Sequence, residues 1–381
     1  MEQKNIFEEF QAKKARLIEI ASQARENGWI DEVREKEIVD KINNDTLTLG
    51  VIGQMKCGKS TFLNAFVFGD TVLPAATTPM TAALSVITYG PEKKLEAEFY
   101  TKDEWEEQKF QASRNLDDVR GNELEESKIK AAQELVAKSV NIPGNLESYL
   151  GKKVNDTFDN LKEYVGAEGK YVAITKSVTL YLPLDYLKGV EVVDTPGFND
   201  PIVSREERTK EFLHKADVVL LMLYAGRAFD STDRTILFNN VRSCGIGKIL
   251  IGVNKYDIPY GNGESEDKII STVKEQIEKT CESGDETMVA LVKENDPILL
   301  SAEMSLMSQL PMKRVLSEFE TSWKNACENF EISSQAQMAE KSHVSHLINA
   351  IKEIIQRDKE EILLKKPYNA IRGAALSQKE N

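Results

Sequence analysis

The stretch GQMKCGKS at residues 53–60 follows the β-rich run TLTLGVI of residues 46–52 and precedes an apolar segment that begins with TFL at residue 61. It fits the pattern G-x-x-x-x-G-K-[ST] in the strand–loop–helix setting that a phosphate-binding loop requires. Glycines let such a loop curl so that backbone N–H groups point at phosphate, and the following helix adds its positive N-terminal end. The sequence therefore predicts a phosphate-binding loop here, with a plain glycine turn as the alternative.

Each part of this loop has a predicted role. We expect Lys59 to place its charge between the β- and γ-phosphates, and the Ser60 hydroxyl to ligate Mg²⁺. The predicted nucleotide contacts from the loop are Gly53, Gln54, Met55, Lys56, Cys57, Gly58, Lys59, Ser60 and Thr61.

A second motif, Asp194-Thr195-Pro196-Gly197, follows the strand-like run of residues 190–193. A carboxylate at the end of a strand can hold Mg²⁺ through water, so Asp194 is a predicted metal residue. The Gly197 N–H could bind the γ-phosphate. A turn that merely precedes a loop is the alternative for this motif alone.

The third motif, Asn254-Lys255-Tyr256-Asp257, fits N-K-x-D and follows an apolar run at residues 249–253. The Asp257 carboxylate can accept hydrogen bonds from the N1–H and the exocyclic amino group of guanine, and adenine lacks this pair of donors. Ser301-Ala302 follows the last apolar run and could present a backbone N–H to guanine O6. Together these motifs predict binding of GTP or GDP with Mg²⁺ through Asn254, Lys255, Asp257, Ser301 and Ala302, and argue against ATP.

The order of the elements predicts an α/β fold with a central, mostly parallel sheet. Several apolar runs, such as residues 218–224, are nearly continuous, which is typical of strands buried on both faces of a parallel sheet. We expect a GTPase domain at 45–310 with a helical insertion at about 103–169, a helical segment at 1–44 and helices at 311–381. Two details are predicted inside these segments. Val154, Phe158, Leu161 and Val165 mark an amphipathic helix, and Lys365-Lys366-Pro367 ends the last helical face, which contains Leu347, Ile348, Ile351, Ile354 and Ile355.

The composition excludes some functions. A net charge of −13 and a pI near 5.0 argue against nucleic-acid binding. The four cysteines show no CxxC pairing, and the N-terminus shows no signal peptide, so we expect reduced thiols in a cytoplasmic protein. His343 and His346 share a helix face, but packing is favoured over metal binding.

Three stretches resemble the bacterial dynamin-like proteins of the dynamin superfamily: GQMKCGKSTFLN at 53–64, VLPAATTPMTAALSVITYG at 72–90 and DTPGFND at 194–200. The resemblance covers roughly residues 45–305. It implies a P-loop GTPase of the dynamin type whose flanking helices form a neck-like bundle. It also implies that a switch threonine, Thr81 with Thr78 as the alternative, completes the Mg²⁺ shell. A full family member would continue beyond residue 381 into a trunk and a membrane tip.

Phe198 occupies the position at which small GTPases often carry a water-orienting glutamine. An aromatic ring cannot orient water. The resemblance implies that polar groups of the phosphate loop, ordered when two heads pair, hold the water. The matching loop residues here are Met55 and Lys56, and Lys56 could offset transition-state charge. The expected catalytic residues are Lys56, Lys59, Thr81 and Gly197.

The resemblance also suggests partners. These are a nucleotide-dependent homodimer or a hetero-oligomer with a longer dynamin-like protein, and a peripheral association with membrane. Two alternatives stay open: a solvated role for Lys56, and a GTP-dependent switch or scaffold with negligible turnover.

Cys57 sits in the phosphate loop beside Lys56 and Lys59, where a thiol pKa tends to fall. This raises the hypothesis of a redox or alkylation switch. The favoured interpretation is a small residue that fills the loop.

Overall fold

The structure is a computed structural model that describes residues 2–43, 46–73, 84–166, 168–195, 213, 215–227, 229–241, 246–281 and 286–377. Its described strands form one nine-stranded sheet. The strands are β1 (Leu47–Gly53), β2 (Leu84–Tyr89), β3 (Lys94–Phe99), β4 (Lys153–Thr157), β5 (Thr175–Leu182), β6 (Val190–Asp194), β7 (Val218–Tyr224), β8 (Lys248–Asn254) and β9 (Ile298–Leu300).

The sheet has the order β4-β3-β5-β2-β6-β1-β7-β8-β9. From β6 to β9 every neighbouring pair is parallel, and β2 also runs parallel to β5. The antiparallel pairs are β2 with β6, and β3 with β4 and β5. The predicted mostly parallel α/β sheet is therefore confirmed.

Both faces of the sheet are covered, as the apolar runs predicted. In β7, Leu220 and Met222 belong to one buried cluster, whereas Val219, Leu221 and Leu223 belong to the cluster on the other side. The helices of this domain are Lys59–Leu63, Ser231–Thr235, Asp257–Gly261, Glu266–Cys281, Glu286–Lys293, Ala302–Gln309, Met312–Glu318, Glu320–Asn329 and Gln335–Lys341, with π-helical turns at Asn64–Phe68 and Ile236–Val241. Short 3-10 turns lie at Leu116–Val119, Leu146–Ser148, Phe158–Asn160, Asp185–Leu187 and Ala225–Arg227.

The insertion contains the helices Lys102–Ser113 and Glu123–Ser139, but the amphipathic helix predicted from Val154 to Val165 is wrong. Residues Lys153–Thr157 form β4, an edge strand paired with β3, and only Leu161–Val165 is helical. Half-buried and exposed positions alternate along β4. A spacing of four residues between Val154 and Phe158 fits a strand as well as a helix, and the polar Asp156 between them hid the alternation.

The terminal helices pack together. Glu2–Glu26 and Glu32–Asn43 are separated by a turn in which Gly28 has φ +72°, and they share a small core with the helix Lys359–Ser377. That core contains Leu17, Ala21, Ala24, Ile30, Ile38, Ile42 and Ile371. The flanking helices thus form a small bundle with a core of their own.

The prediction that Pro367 ends the last helix is wrong. The helices Val344–Glu353 and Lys359–Ser377, joined by a π-helical turn at Ile354–Asp358, carry the chain to Ser377 with Pro367 inside. A proline inside a helix costs about 3 kcal/mol. Leu363 and Ile371, on either side of it, are buried, and this packing offsets the loss.

No helix among the described residues is long and apolar enough to cross a membrane.

Candidate nucleotide-binding site

Two glycines of the phosphate loop occupy positions that no other residue fits. Gly53 has φ +147°, and a Cβ on it would lie 2.3 Å from the Met222 carbonyl oxygen. Gly58 has φ +96°, and a Cβ on it would lie 2.2 Å from Nδ2 of Asn254. Both contacts are far inside van der Waals distance, so the loop can pack against β7 and β8 only with glycine at these positions.

Lys59 is buried at the start of the helix that follows the loop. Its ammonium donates hydrogen bonds to the carbonyl oxygens of Gly53 and Gln54, at 3.0 Å each. The loop therefore holds this charge inside its own curve, where a phosphate group bound by the loop would meet it.

Ser60 and Asp194 meet at the ends of the adjacent strands β1 and β6. The Ser60 hydroxyl donates to Oδ2 of Asp194 at 2.7 Å, and Oδ1 of Asp194 is buried without a hydrogen-bond partner. Burial raises the pKa of Asp194, and the nearby Lys59 charge and the Ser60 bond oppose this shift. The Ser60 hydroxyl oxygen and the unpartnered Oδ1 of Asp194 are the kind of ligands that suit a hard cation such as Mg²⁺. Ser60 would hold such a cation directly, and Asp194 would hold it through water.

Asn254 links three motifs. Its Nδ2 donates to the Cys57 carbonyl oxygen at 2.8 Å, and its Oδ1 accepts from the Ala302 N–H at 2.9 Å. Asn254 is 1% exposed. The Asn254 side chain, at the end of β8, therefore sets the position of the phosphate loop relative to the N-K-x-D motif and the Ser301-Ala302 segment, the two segments predicted to contact the base.

Asp257 begins the helix Asp257–Gly261, and its Oδ1 is buried without a partner. Burial raises the pKa of Asp257, while a hydrogen bond from Ser301 opposes this. A buried carboxylate oxygen needs an N–H donor, which the N1–H and amino group of guanine would supply. Lys255, at φ +61°, lies with its ammonium 5.7 Å from the centre of the Tyr224 ring.

The expected contact between Ser301-Ala302 and guanine O6 stays a prediction. The Ala302 N–H donates to Asn254, and the Ser301 N–H donates to the Ser342 carbonyl oxygen at 2.8 Å. Both amides therefore have partners within the protein. A base contact from this pair would require one of these amides to share or exchange its partner.

The hypothesis of a reactive thiol at Cys57 does not fit its surroundings, whereas the favoured interpretation of a loop-filling residue does. The thiol is 2% exposed, and burial raises its pKa, with the Lys59 charge as a smaller opposing influence. A Cβ on Gly53 would lie 3.0 Å from its sulfur. Cys57 therefore fills the inside of the loop, and its environment does not favour a reactive thiolate.

Two predicted catalytic residues, Thr81 and Gly197, lie outside the described residues, as do the alternative switch threonine Thr78 and the aromatic Phe198. Lys56 is described, with φ +64° and an exposed side chain. Its exposure is compatible with a partner-facing role and equally with a solvated lysine, so its role stays a prediction.

The sequence analysis did not predict the contact that holds the side chain of Gln54, in the phosphate loop, against the segment after β7. Nε2 of Gln54 donates to Oδ1 of Asp230 at 2.7 Å, and Nη2 of Arg227 lies 3.5 Å from Oε1 of Gln54. Asp230 also caps the helix Ser231–Thr235 in a capping box with Asp233. The D-x-x-D spacing could have revealed the cap. It could not have revealed the contact across 176 residues to Gln54.

The two histidines considered as metal ligands lie in an aromatic stack. The rings of Tyr256 and His343 are 5.0 Å apart and nearly parallel, and His346 stacks on His343 at 5.4 Å. Across the part of the chain that the structure describes, no group of three or more metal-ligating side chains is present. Packing, the favoured interpretation, describes these rings.

A family model described as the dynamin family matches residues 49–257, from β1 to Asp257 of the N-K-x-D motif. The chain belongs to the dynamin family. Dynamin-like protein 1 of Campylobacter jejuni is 27% identical over 276 residues, which cover 71% of this chain and 35% of that protein. Dynamin-like protein A of Bacillus subtilis is 29% identical over 241 residues, which cover 58% of this chain and 19% of that protein.

The fold agrees with this membership. A solved structure of an oligomerised bacterial dynamin pair, described as providing a mechanism for the long-range sensing and tethering of membranes, aligns with a TM-score of 0.58 at 21% identity. The alignment covers 97% of this chain and 47% of that one. The chain thus spans less than half the length of these relatives. It carries a dynamin-type GTPase domain with flanking helices.

Proposed function

We propose that this chain binds GTP with Mg²⁺ and hydrolyses it to GDP and phosphate. The observation that carries the proposal is the pair of buried, unpartnered carboxylate oxygens at one edge of the sheet, on Asp194 and Asp257. The first suits a metal cation that accompanies the phosphates, and the second suits the hydrogen-bond donors of guanine. Asn254 connects the phosphate loop to the segment after β9, because its side chain bonds both the Cys57 carbonyl oxygen and the Ala302 N–H.

The residues divide the work as follows. Asp257 orients the base, and the curled loop with Lys59 binds the phosphates and stabilises charge on the β–γ bridge. Ser60 and Asp194, with Thr81, would hold Mg²⁺, which neutralises phosphate charge when bound. Hydrolysis then forms a bond between a water oxygen and the γ-phosphorus, while the bond to the bridging oxygen breaks.

Dimerisation is the second part of the proposal. Phe198 cannot orient the attacking water, so groups on the loop must do so when a second head, or the head of a longer dynamin-like protein, orders them. The exposure of Lys56 supports a role in which its ammonium meets such a partner and offsets charge in the transition state. A peripheral role at membranes is proposed by likeness to the membrane-tethering dynamin pair.

Calorimetry with GTP tests the site. Lys59→Ala removes a charge-assisted contact to the phosphates and is expected to weaken GTP binding by at least about tenfold. Lys56→Ala, in the same loop, should leave GTP affinity nearly unchanged and lower turnover. Equal affinity of Lys59→Ala and the unmodified protein would refute the assignment of the loop.

Light scattering tests dimerisation. GDP with aluminium fluoride mimics the transition state and is expected to double the mass. An unchanged mass under every nucleotide condition would favour the alternative candidate, a monomeric GTP-dependent switch with negligible turnover, which the aromatic Phe198 supports.

A further inference from the structure

A cavity of about 380 Å³ lies beside the guanine-recognition residues. Three short helices enclose it: Asp257–Gly261, Ala302–Gln309 and Glu320–Asn329. Its volume lies in the range of about 300–1,000 Å³ that is typical of small-molecule pockets. The residues that would bind the phosphates and Mg²⁺ (Lys59, Ser60 and Asp194) do not line it.

The cavity shares residues with the predicted base site. Lys255, Asp257 and Glu303 all line it. Glu303 directly follows the Ser301-Ala302 segment, and its charge adds to the burial that raises the pKa of Asp257. Because Asp257 lines the cavity and would hold the N1–H and the C2-amino group of guanine, the C2 edge of a bound base would lie beside the cavity.

The lining of the cavity is mixed in character. Met307, Ala326 and Phe330 give it apolar walls, and Ser322, Asn325 and Asn329 give it polar ones. Phe330 stacks on Tyr260 with ring centres 4.4 Å apart at an angle of 5°, so a second aromatic ring supports this wall. An uncharged chain of a few carbon atoms would contact apolar surface there without burying an unpaired charge.

We propose that the nucleotide site extends into this cavity and accepts guanine nucleotides that carry an alkyl substituent on the C2-amino nitrogen. The proposal rests on the guanine orientation of the proposed function. An N2-butyl group leaves the N1–H and one amino N–H for Asp257, so recognition of the base is kept. The cavity would therefore determine which purine nucleotides the site tolerates at C2.

Calorimetry of the full chain with GTP and with N2-butyl-GTP tests the proposal. The two affinities are expected to agree within about threefold, because the added chain enters open space. Ser322→Phe places a ring in the cavity and is expected to weaken N2-butyl-GTP by about tenfold or more while changing GTP by less than about twofold. Thr321→Phe is the matched control, because Thr321 is exposed on the same helix and does not line the cavity.

Two results would overturn the proposal: N2-butyl-GTP binding about a hundredfold weaker than GTP to the unmodified protein, or equal loss of both ligands in Ser322→Phe. Failure of GTP itself to bind would refute the proposed function, and with it the base orientation on which the cavity proposal depends. Intact GTP binding with rejection of the butyl derivative refutes only the cavity.

Discussion

Asn254→Ala is expected to reduce the free energy of unfolding substantially, even without nucleotide. The change removes the donor to the Cys57 carbonyl oxygen at 2.8 Å and the acceptor of the Ala302 N–H at 2.9 Å. All three residues are at most 2% exposed. A buried group left without a partner costs about 1–3 kcal/mol, so two such groups predict a loss of about 2–6 kcal/mol.

The assay is urea unfolding without nucleotide, with Asn295→Ala as the control. Asn295 makes one side-chain bond, from Nδ2 to the Ile249 carbonyl oxygen at the other end of the same strand, at 3.2 Å, and it is half-buried. Its loss should be nearer about 1 kcal/mol. A loss below about 1 kcal/mol for Asn254→Ala, or equal losses for both variants, would refute the linking role of Asn254.

Three further outcomes follow from the site. Asp257→Asn should lower GTP affinity and raise that for xanthosine triphosphate, because the amide donates to the xanthine carbonyl; calorimetry with both nucleotides checks this, and no gain for xanthosine triphosphate would refute guanine recognition. Asp194→Asn should weaken Mg²⁺-dependent GTP binding by about tenfold or more yet raise nucleotide-free stability near pH 7. Burial raises the pKa of Asp194 in the folded state, so ionisation of this carboxyl above its unfolded-state pKa lowers the free energy of unfolding. Unfolding measured as a function of pH should therefore show a higher free energy of unfolding for Asp194→Asn near pH 7. This difference between the two proteins should disappear in acid, where Asp194 is protonated. Cys57 should react slowly with iodoacetamide at pH 7, because burial raises its pKa; alkylation as fast as that of an exposed thiol would contradict its filling role.

The parallel half of the sheet could be predicted from the sequence because its signals are local. A strand such as β7 is buried on both faces, so it appears as one continuous apolar run, and each motif follows directly at the strand's end. The edge strand β4 could not be predicted, because only two of its five residues are half-buried and the spacing of its apolar residues matched a helix equally well.

The site was predictable in its residues and less so in its contacts. The loop with Lys59 and Ser60 follows β1, Asp194 ends β6 and Asp257 follows β8, as their motifs indicated, while the roles of these residues stay predictions. The bond from Gln54 to Asp230 and the capture of the Ala302 amide by Asn254 depend on segments distant in sequence, which no local pattern reports. Burial likewise reversed the expected pKa shift of Cys57, because the fold places the thiol inside the loop.

Phosphate release tests the central claim most directly. It would be followed with GTP and with ATP in the presence of Mg²⁺, over a range of protein concentrations, with Lys59→Ala in parallel. We predict that phosphate is released from GTP and not from ATP, and that the rate of release per protein molecule rises with protein concentration. Phosphate release should be lost in Lys59→Ala. Release that is absent with GTP, equal with ATP, or unchanged in Lys59→Ala would contradict hydrolysis at this site.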